Sequence, residues 1–165
     1  MFDDKLIRRA EALIALYREQ RLLLGSAESC TGGLVAGLLT SIAGSSEVFE
    51  RGFVTYSNAA KTACLGVDSA LLERFGAVSA DVAAAMAVGV LENSPVDVAV
   101  SVTGIAGPGG GSPAKPVGLV YFGVARRGGE ARTLEKRFGD LGRSNVRAAS
   151  VAVALDLFVQ GRGIG

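Results

Sequence analysis

Ser29, Lys61 and Tyr56 are residues whose types could supply a nucleophile, its base and an oxyanion donor. Ser29 lies in Ala27-Glu28-Ser29-Cys30-Thr31-Gly32-Gly33, after the apolar run Leu22-Leu23-Leu24-Gly25 and before Leu34, Val35, Leu38, Leu39 and Ile42. That pattern reads as strand, tight turn, helix. Glycines let the backbone bend sharply and let a ligand approach closely. The first turn of a helix offers N–H groups without intrahelical partners and the positive end of a dipole. A serine at that corner is placed as a nucleophile, and the N–H groups around Cys30, Thr31, Gly32 and Gly33 suit an oxyanion or a phosphate. The same residues also suit a plain helix cap, with Ser29 or Thr31 as the capping hydroxyl. The pattern is neither G-x-S-x-G nor S-x-x-K, because Gly32 stands where the lysine of the second would be.

The chain contains no histidine. A Ser-His-Asp triad and a histidine-ligated metal are therefore excluded within it, and a serine here needs a lysine, a carboxylate or a tyrosinate as its base. Lys61 is the leading candidate, flanked by Ala59, Ala60, Thr62 and Ala63. In an apolar, partly buried setting a lysine pKa falls, and the neutral amine can take a proton from a hydroxyl. The plainer reading of Lys61 is an exposed surface lysine. Tyr56 could donate to a developing oxyanion, or simply pack by its ring. Asn58 could orient a substrate or form an Asx-turn. Thr103-Gly104 opens a second glycine-rich stretch, running to Gly111. It could wrap a phosphate or ribose with backbone amides, or serve as a lid or a turn. It matches neither the P-loop nor the dinucleotide fingerprint. Arg143 and Arg147 are one helical turn apart and could grip an anion together, or be surface charges.

The elements that must position these residues follow from periodicity and breakers. Helical spacing of Leu6, Ala10, Leu13, Ile14 and Tyr17 predicts a helix over 4–19. A short buried strand over 22–26 and a helix over 32–41 flank the Ser29 turn. Phe53 to Ser57 reads as a strand, followed by a short helix ending near Gly66. A capped helix ends at Gly76, and another runs to about Asn93 with Ser79 as its N-cap. Val96 to Thr103 reads as a central strand and Val117 to Ala125 as the next. Gly128-Gly129 then turns into a charged edge strand over 131–138. The last helix opens near Gly142, and 161–165 reads as a frayed tail. The expectation is one α/β domain over 1–165: a mixed, largely parallel sheet with an antiparallel hairpin and helices on both faces. In such sheets ligands gather at the C-terminal strand ends. The Ser29 turn, the Tyr56–Lys61 turn and the Gly104–Gly111 loop all follow strands and should meet there.

Composition narrows the function classes. Hydrophobic residues make up 49% of the chain, charged residues 20% and aromatics 6%, so the core must rest on Ala, Val and Leu. The net charge is +1 with no long basic run, which argues against nucleic acid as the partner. No run reaches the roughly 18 apolar residues of a membrane span, and two acids precede the first apolar segment. Cys30 and Cys64 show no framework or metal spacing. The expected setting is cytoplasmic, with free thiols.

Ala27–Gly33, Gly44-Ser45-Ser46, Arg51–Asn58, Lys61, Gly76-Ala77-Val78-Ser79 and Thr103–Gly110 closely resemble the CinA C-terminal domain family, over about 6–159. The resemblance implies a three-layer α/β/α sandwich, often dimeric. It implies hydrolysis of the carboxamide of nicotinamide mononucleotide to nicotinate mononucleotide and ammonia, in pyridine nucleotide recycling, without metal or organic cofactor. The family's serine, lysine and tyrosine match Ser29, Lys61 and Tyr56, and the chain resembles the stand-alone form. The partner it implies is a pyridine nucleotide, with a homodimer as the expected assembly; the alanine-rich helix surface over 82–90 could make a dimer seam. Some relatives are discussed in connection with competence or DNA damage. The alternative function is therefore a non-catalytic nucleotide-binding or regulatory module on the same fold.

Overall fold

The computed structural model describes residues 2–163. Six α-helices and five strands follow one another as α1 (Asp4–Gln20), β1 (Leu24–Glu28), α2 (Leu34–Thr40), β2 (Phe49–Val54), α3 (Asn58–Leu65), α4 (Ser69–Phe75), α5 (Ala80–Glu92), β3 (Val98–Gly104), β4 (Leu119–Arg126), β5 (Arg132–Arg137) and α6 (Arg143–Gly161). The sheet order is β2-β1-β3-β4-β5. β1 is parallel to both β2 and β3, whereas β4 and β5 form the antiparallel hairpin. The mixed sheet with helices on both faces is as expected.

The alternation of strand side chains decides which helices lie on which face. Val98, Val100 and Val102 of β3, with Val120, Phe122 and Val124 of β4, pack under α1, α2 and α6. Ala99 and Ala125 point to the other face, under α5, together with Ala27 of β1. The α5 side is the tighter one. A Cβ on Gly123 would lie 2.3 Å from the Ala83 carbonyl oxygen, and one on Gly89 would lie 2.2 Å from that of Leu65. Ser101, fully buried, spans this contact: its hydroxyl donates to the Ala83 carbonyl at 2.6 Å and accepts from the Gly123 N–H at 3.0 Å. Val82, Ala83, Met86, Ala87 and Val90 are consequently buried within the chain. The surface expected as a dimer seam is thus core over most of its length.

Several boundaries move for identifiable reasons. β1 runs over Leu24–Glu28 rather than 22–26, because the Leu22 N–H closes the end of α1 on the Tyr17 carbonyl. Gly32 and Gly33 have φ of 59° and 93°, so α2 starts at Leu34, two residues later than expected. The second strand is Phe49–Val54, earlier than 53–57. Thr55 makes one more bond, from its N–H to the Glu28 carbonyl, and Ser57 then caps α3 by accepting from the Ala60 N–H. Ser79 caps α5 as expected, accepting from Val82 N–H. Gly161 is not tail. It ends α6 against the sheet, where a Cβ would meet Val98 and Val124 at 2.7–2.8 Å.

Candidate active site

The connections after β1, β2 and β3 meet at the C-terminal ends of those strands around a cavity of about 260 Å³. Ser29, Cys30, Tyr56, Lys61, Thr103 and Arg143 line it, with the Gly104–Gly110 loop. A larger hollow of about 420 Å³ lies between α4 and α5, walled by Leu71, Phe75 and Val88. It holds no nucleophile beside a base, so chemistry places the site in the smaller one.

Lys61 is the core of the arrangement. It sits in the first turns of α3 and is 1% exposed. Its Nζ donates to the Thr55 carbonyl at 2.8 Å and lies 3.1 Å from Ser29 Oγ. Burial holds its pKa below the usual 10.5, with a smaller opposing pull from Cys30. A desolvated amine with one N–H spent on a carbonyl can turn its lone pair to the serine hydroxyl. Cys30, beside the nucleophile, is also buried, and burial pushes its thiol up to about 11. It stays protonated at neutral pH, so the oxygen and not the sulfur is the nucleophile that this pocket prepares.

The turn itself differs from the expected one. Neither Ser29 nor Thr31 caps α2. The cap is Glu28, fully buried. Its Oε2 accepts from the Gly33 and Val35 N–H groups, both at 3.0 Å, and its Oε1 from the Ala36 N–H at 2.8 Å. The Gly32 N–H is taken by the Ser29 carbonyl at 3.0 Å. The open start of the helix that would have held a phosphate is therefore filled by a carboxylate. Among the described residues, the turn's N–H groups without an acceptor are those of Cys30 and Thr31.

The other expected residues divide. Tyr56 is 61% exposed at the rim, and its hydroxyl accepts from Arg143 Nη2 at 2.9 Å while Arg143 Nη1 donates to the Gly107 carbonyl at 3.0 Å. Thr103 lies on the cavity wall with its hydroxyl donated to the Ala77 carbonyl at 2.7 Å. Gly104 is required by sheet packing, since a Cβ there would meet the Leu119 carbonyl oxygen at 2.8 Å. Asn58 is not in the cavity. It lies on the exposed side of α3, beside Thr62, Ser69 and Glu73. Arg147 does not join Arg143 either: it donates to the Thr31 carbonyl at 2.9 Å and faces Phe2, Leu6 and Val151. Thr31, Gly32 and Gly33 shape the turn from behind rather than lining the cavity.

A model of the CinA C-terminal domain matches residues 7–161. The chain belongs to the CinA C-terminal domain family. Nicotinamide-nucleotide amidohydrolase PncC of Enterobacter agglomerans is 55% identical over 137 residues, 81% of this chain and 84% of that protein. A putative competence-damage inducible protein of Caldicellulosiruptor bescii is 50% identical over 148 residues, but this chain spans only 35% of its length. The crystal structure of the competence/damage inducible protein CihA from Agrobacterium tumefaciens superposes with a TM-score of 0.96 at 48% identity, covering 98% of both chains.

Within this CinA domain, three site features escaped the sequence reading. Glu28 stands in the sequence as one letter of a motif, and the sign that it carries is that of an acid ending an apolar strand, a buried, hydrogen-bonded carboxylate. The Thr55 carbonyl, which fixes Lys61, carries no side-chain sign at all. Ala77 and Val78, which help to wall the cavity, look like ordinary helix-flanking residues. Among the described residues, no helix of this CinA domain is long and apolar enough to cross a membrane. Both cysteines are free thiols.

Proposed function

We propose that this chain is a nicotinamide-nucleotide amidase that hydrolyses nicotinamide mononucleotide through a Ser29–Lys61 dyad. The observation that carries the reading is the buried Lys61 amine 3.1 Å from Ser29 Oγ at the floor of the cavity. The amidohydrolase named among its relatives supports the substrate.

In this mechanism neutral Lys61 takes the Ser29 proton as Oγ attacks the carboxamide carbon. The oxyanion forms against the turn, where the Cys30 N–H at the cavity wall is open, and low dielectric strengthens that bond. Arg143 donates to the Tyr56 oxygen, so the phenol's own proton stays available to a developing charge at the rim. Lys61 then returns its proton to the departing nitrogen, the C–N bond breaks and ammonia leaves. Water attacks the acyl ester and gives its proton to Lys61; as the ester C–O bond breaks, Lys61 passes that proton to Ser29 Oγ, which restores the hydroxyl and the neutral amine, and nicotinate mononucleotide departs. With the α2 start closed by Glu28, the phosphate end of the substrate belongs on the other side of the cavity. There the N–H groups of Gly107, Gly109 and Gly110 have no protein acceptor among the described residues, and Arg143 is at hand.

The test is ammonia release from nicotinamide mononucleotide with chelator present, with nicotinate mononucleotide identified as the co-product. Stoichiometric formation of both supports the amidase. Thermal stabilisation by the nucleotide without turnover would replace it with a binding module.

A further inference from the structure

Glu28 is tied to both members of the dyad by separate routes. Its carboxylate gathers the N–H groups of Gly33, Val35 and Ala36, which closes the chain into a loop whose first residue is Ser29. Its own carbonyl accepts the Thr55 N–H at 2.9 Å, and the Thr55 carbonyl accepts Lys61 Nζ at 2.8 Å. The Ser29 N–H is held on its other side by the Val102 carbonyl at 2.9 Å. One residue thus fixes the turn that aims the hydroxyl and the segment that aims the amine. We infer that Glu28 is a positioning residue for the Ser29–Lys61 pair, an inference that rests on the catalytic reading of that pair but not on its substrate.

The chemistry of the carboxylate makes this testable by an isosteric change. Three N–H donors meet two acceptor oxygens. A glutamine offers one acceptor oxygen and one NH₂ group. In either orientation Glu28→Gln sets an N–H against an N–H, at Ala36 or at Gly33 and Val35. The turn must then shift by a fraction of an ångström to an ångström, and displacement on that scale costs about 100-fold in reactivity.

The experiment follows Ser29 labelling by a fluorophosphonate, read by intact mass and peptide mapping. In that reaction the Oγ–P bond forms, the P–F bond breaks, fluoride leaves and the hydroxyl proton passes to Lys61. Wild type, Glu28→Gln and Leu38→Ala are compared well below their melting temperatures. Leu38 is buried in α2 with no bond to the dyad, so its truncation loosens the same helix by packing alone. The expected result is labelling about 100-fold slower in Glu28→Gln and close to wild type in Leu38→Ala, with both variants folded by circular dichroism. Three results overturn the inference: Glu28→Gln labelling within about threefold of wild type, equal slowing in Leu38→Ala, or wild type labelling no faster than Ser29→Ala. Ser29 labelling without ammonia release would instead overturn the assigned substrate and leave the positioning role standing.

Discussion

Lys61→Met lowers kcat/KM for nicotinamide mononucleotide by about 10²- to 10⁴-fold, the usual contribution of a positioned general base. Methionine fills the same channel without an amine, so the loss reports chemistry rather than a void. The pH dependence gives a second check. The base acts when neutral, and burial holds its pKa below 10.5. Wild-type kcat/KM therefore climbs with pH along a limb centred below 10.5 and then levels, and the limb is absent from the residual rate of the variant. Stability follows the same group. Between the native pKa and 10.5 the unfolded chain binds the Lys61 proton and the native chain does not, so native stability rises with pH across that window. Below the native pKa the buried charge destabilises in full. Urea melts of wild type and Lys61→Met taken up to pH 10.5 should show the difference moving toward wild type above the native pKa. A constant difference, or an active variant, would mean that Lys61 is a structural cation.

Gly123→Val is the largest expected loss of stability, with a fall in melting temperature of roughly 6–12 °C from about 3 kcal/mol of overpacking. The added atoms have no empty side to enter. They meet the Ala83 carbonyl oxygen at 2.3 Å and Ser101 Oγ at 2.7 Å. The helix must retreat from the sheet, which breaks the bond from Ser101 to Ala83, and Ser101 Oγ is pushed off its bond with the Gly123 N–H. Thermal melts followed by circular dichroism measure the effect. A melting temperature within about 2 °C of wild type, less than the shift expected from 1 kcal/mol, would show that α5 is not pinned at this point.

The sequence made some of this visible and hid the rest for physical reasons. Helical periodicity marked α1, and the Ser79 hydroxyl marked the start of α5, because both depend on neighbours within one helical turn. The absence of histidine pointed to a lysine base, and the turns after three strands, two of them glycine-rich, placed Ser29, Lys61 and the 104–110 loop at one end of the sheet. β2 was misplaced because an edge strand with one partner keeps charged residues such as Glu50 and Arg51, which disguise it as loop. Asn58, a candidate to orient a substrate, stays outside the cavity because residues of one helix turn diverge: it shares the exposed side of α3 with Thr62, while Lys61 turns inward with Leu65. Arg143 and Arg147 fall on one stripe of α6, yet four residues move the second about 6 Å along the axis, far enough to reach Thr31 instead of Gly107. Glu28 carries the sign of a buried acid at the end of an apolar strand, but its role as a cap is hidden because the backbone N–H groups that it gathers lie five to eight residues away.

The most direct test of the central claim is ammonia release from nicotinamide mononucleotide by Ser29→Ala beside wild type, at matched folded concentration and with chelator present. The dyad predicts turnover in wild type and only background release from the variant. Comparable rates in the two proteins would contradict a Ser29 nucleophile and with it the mechanism built on Lys61.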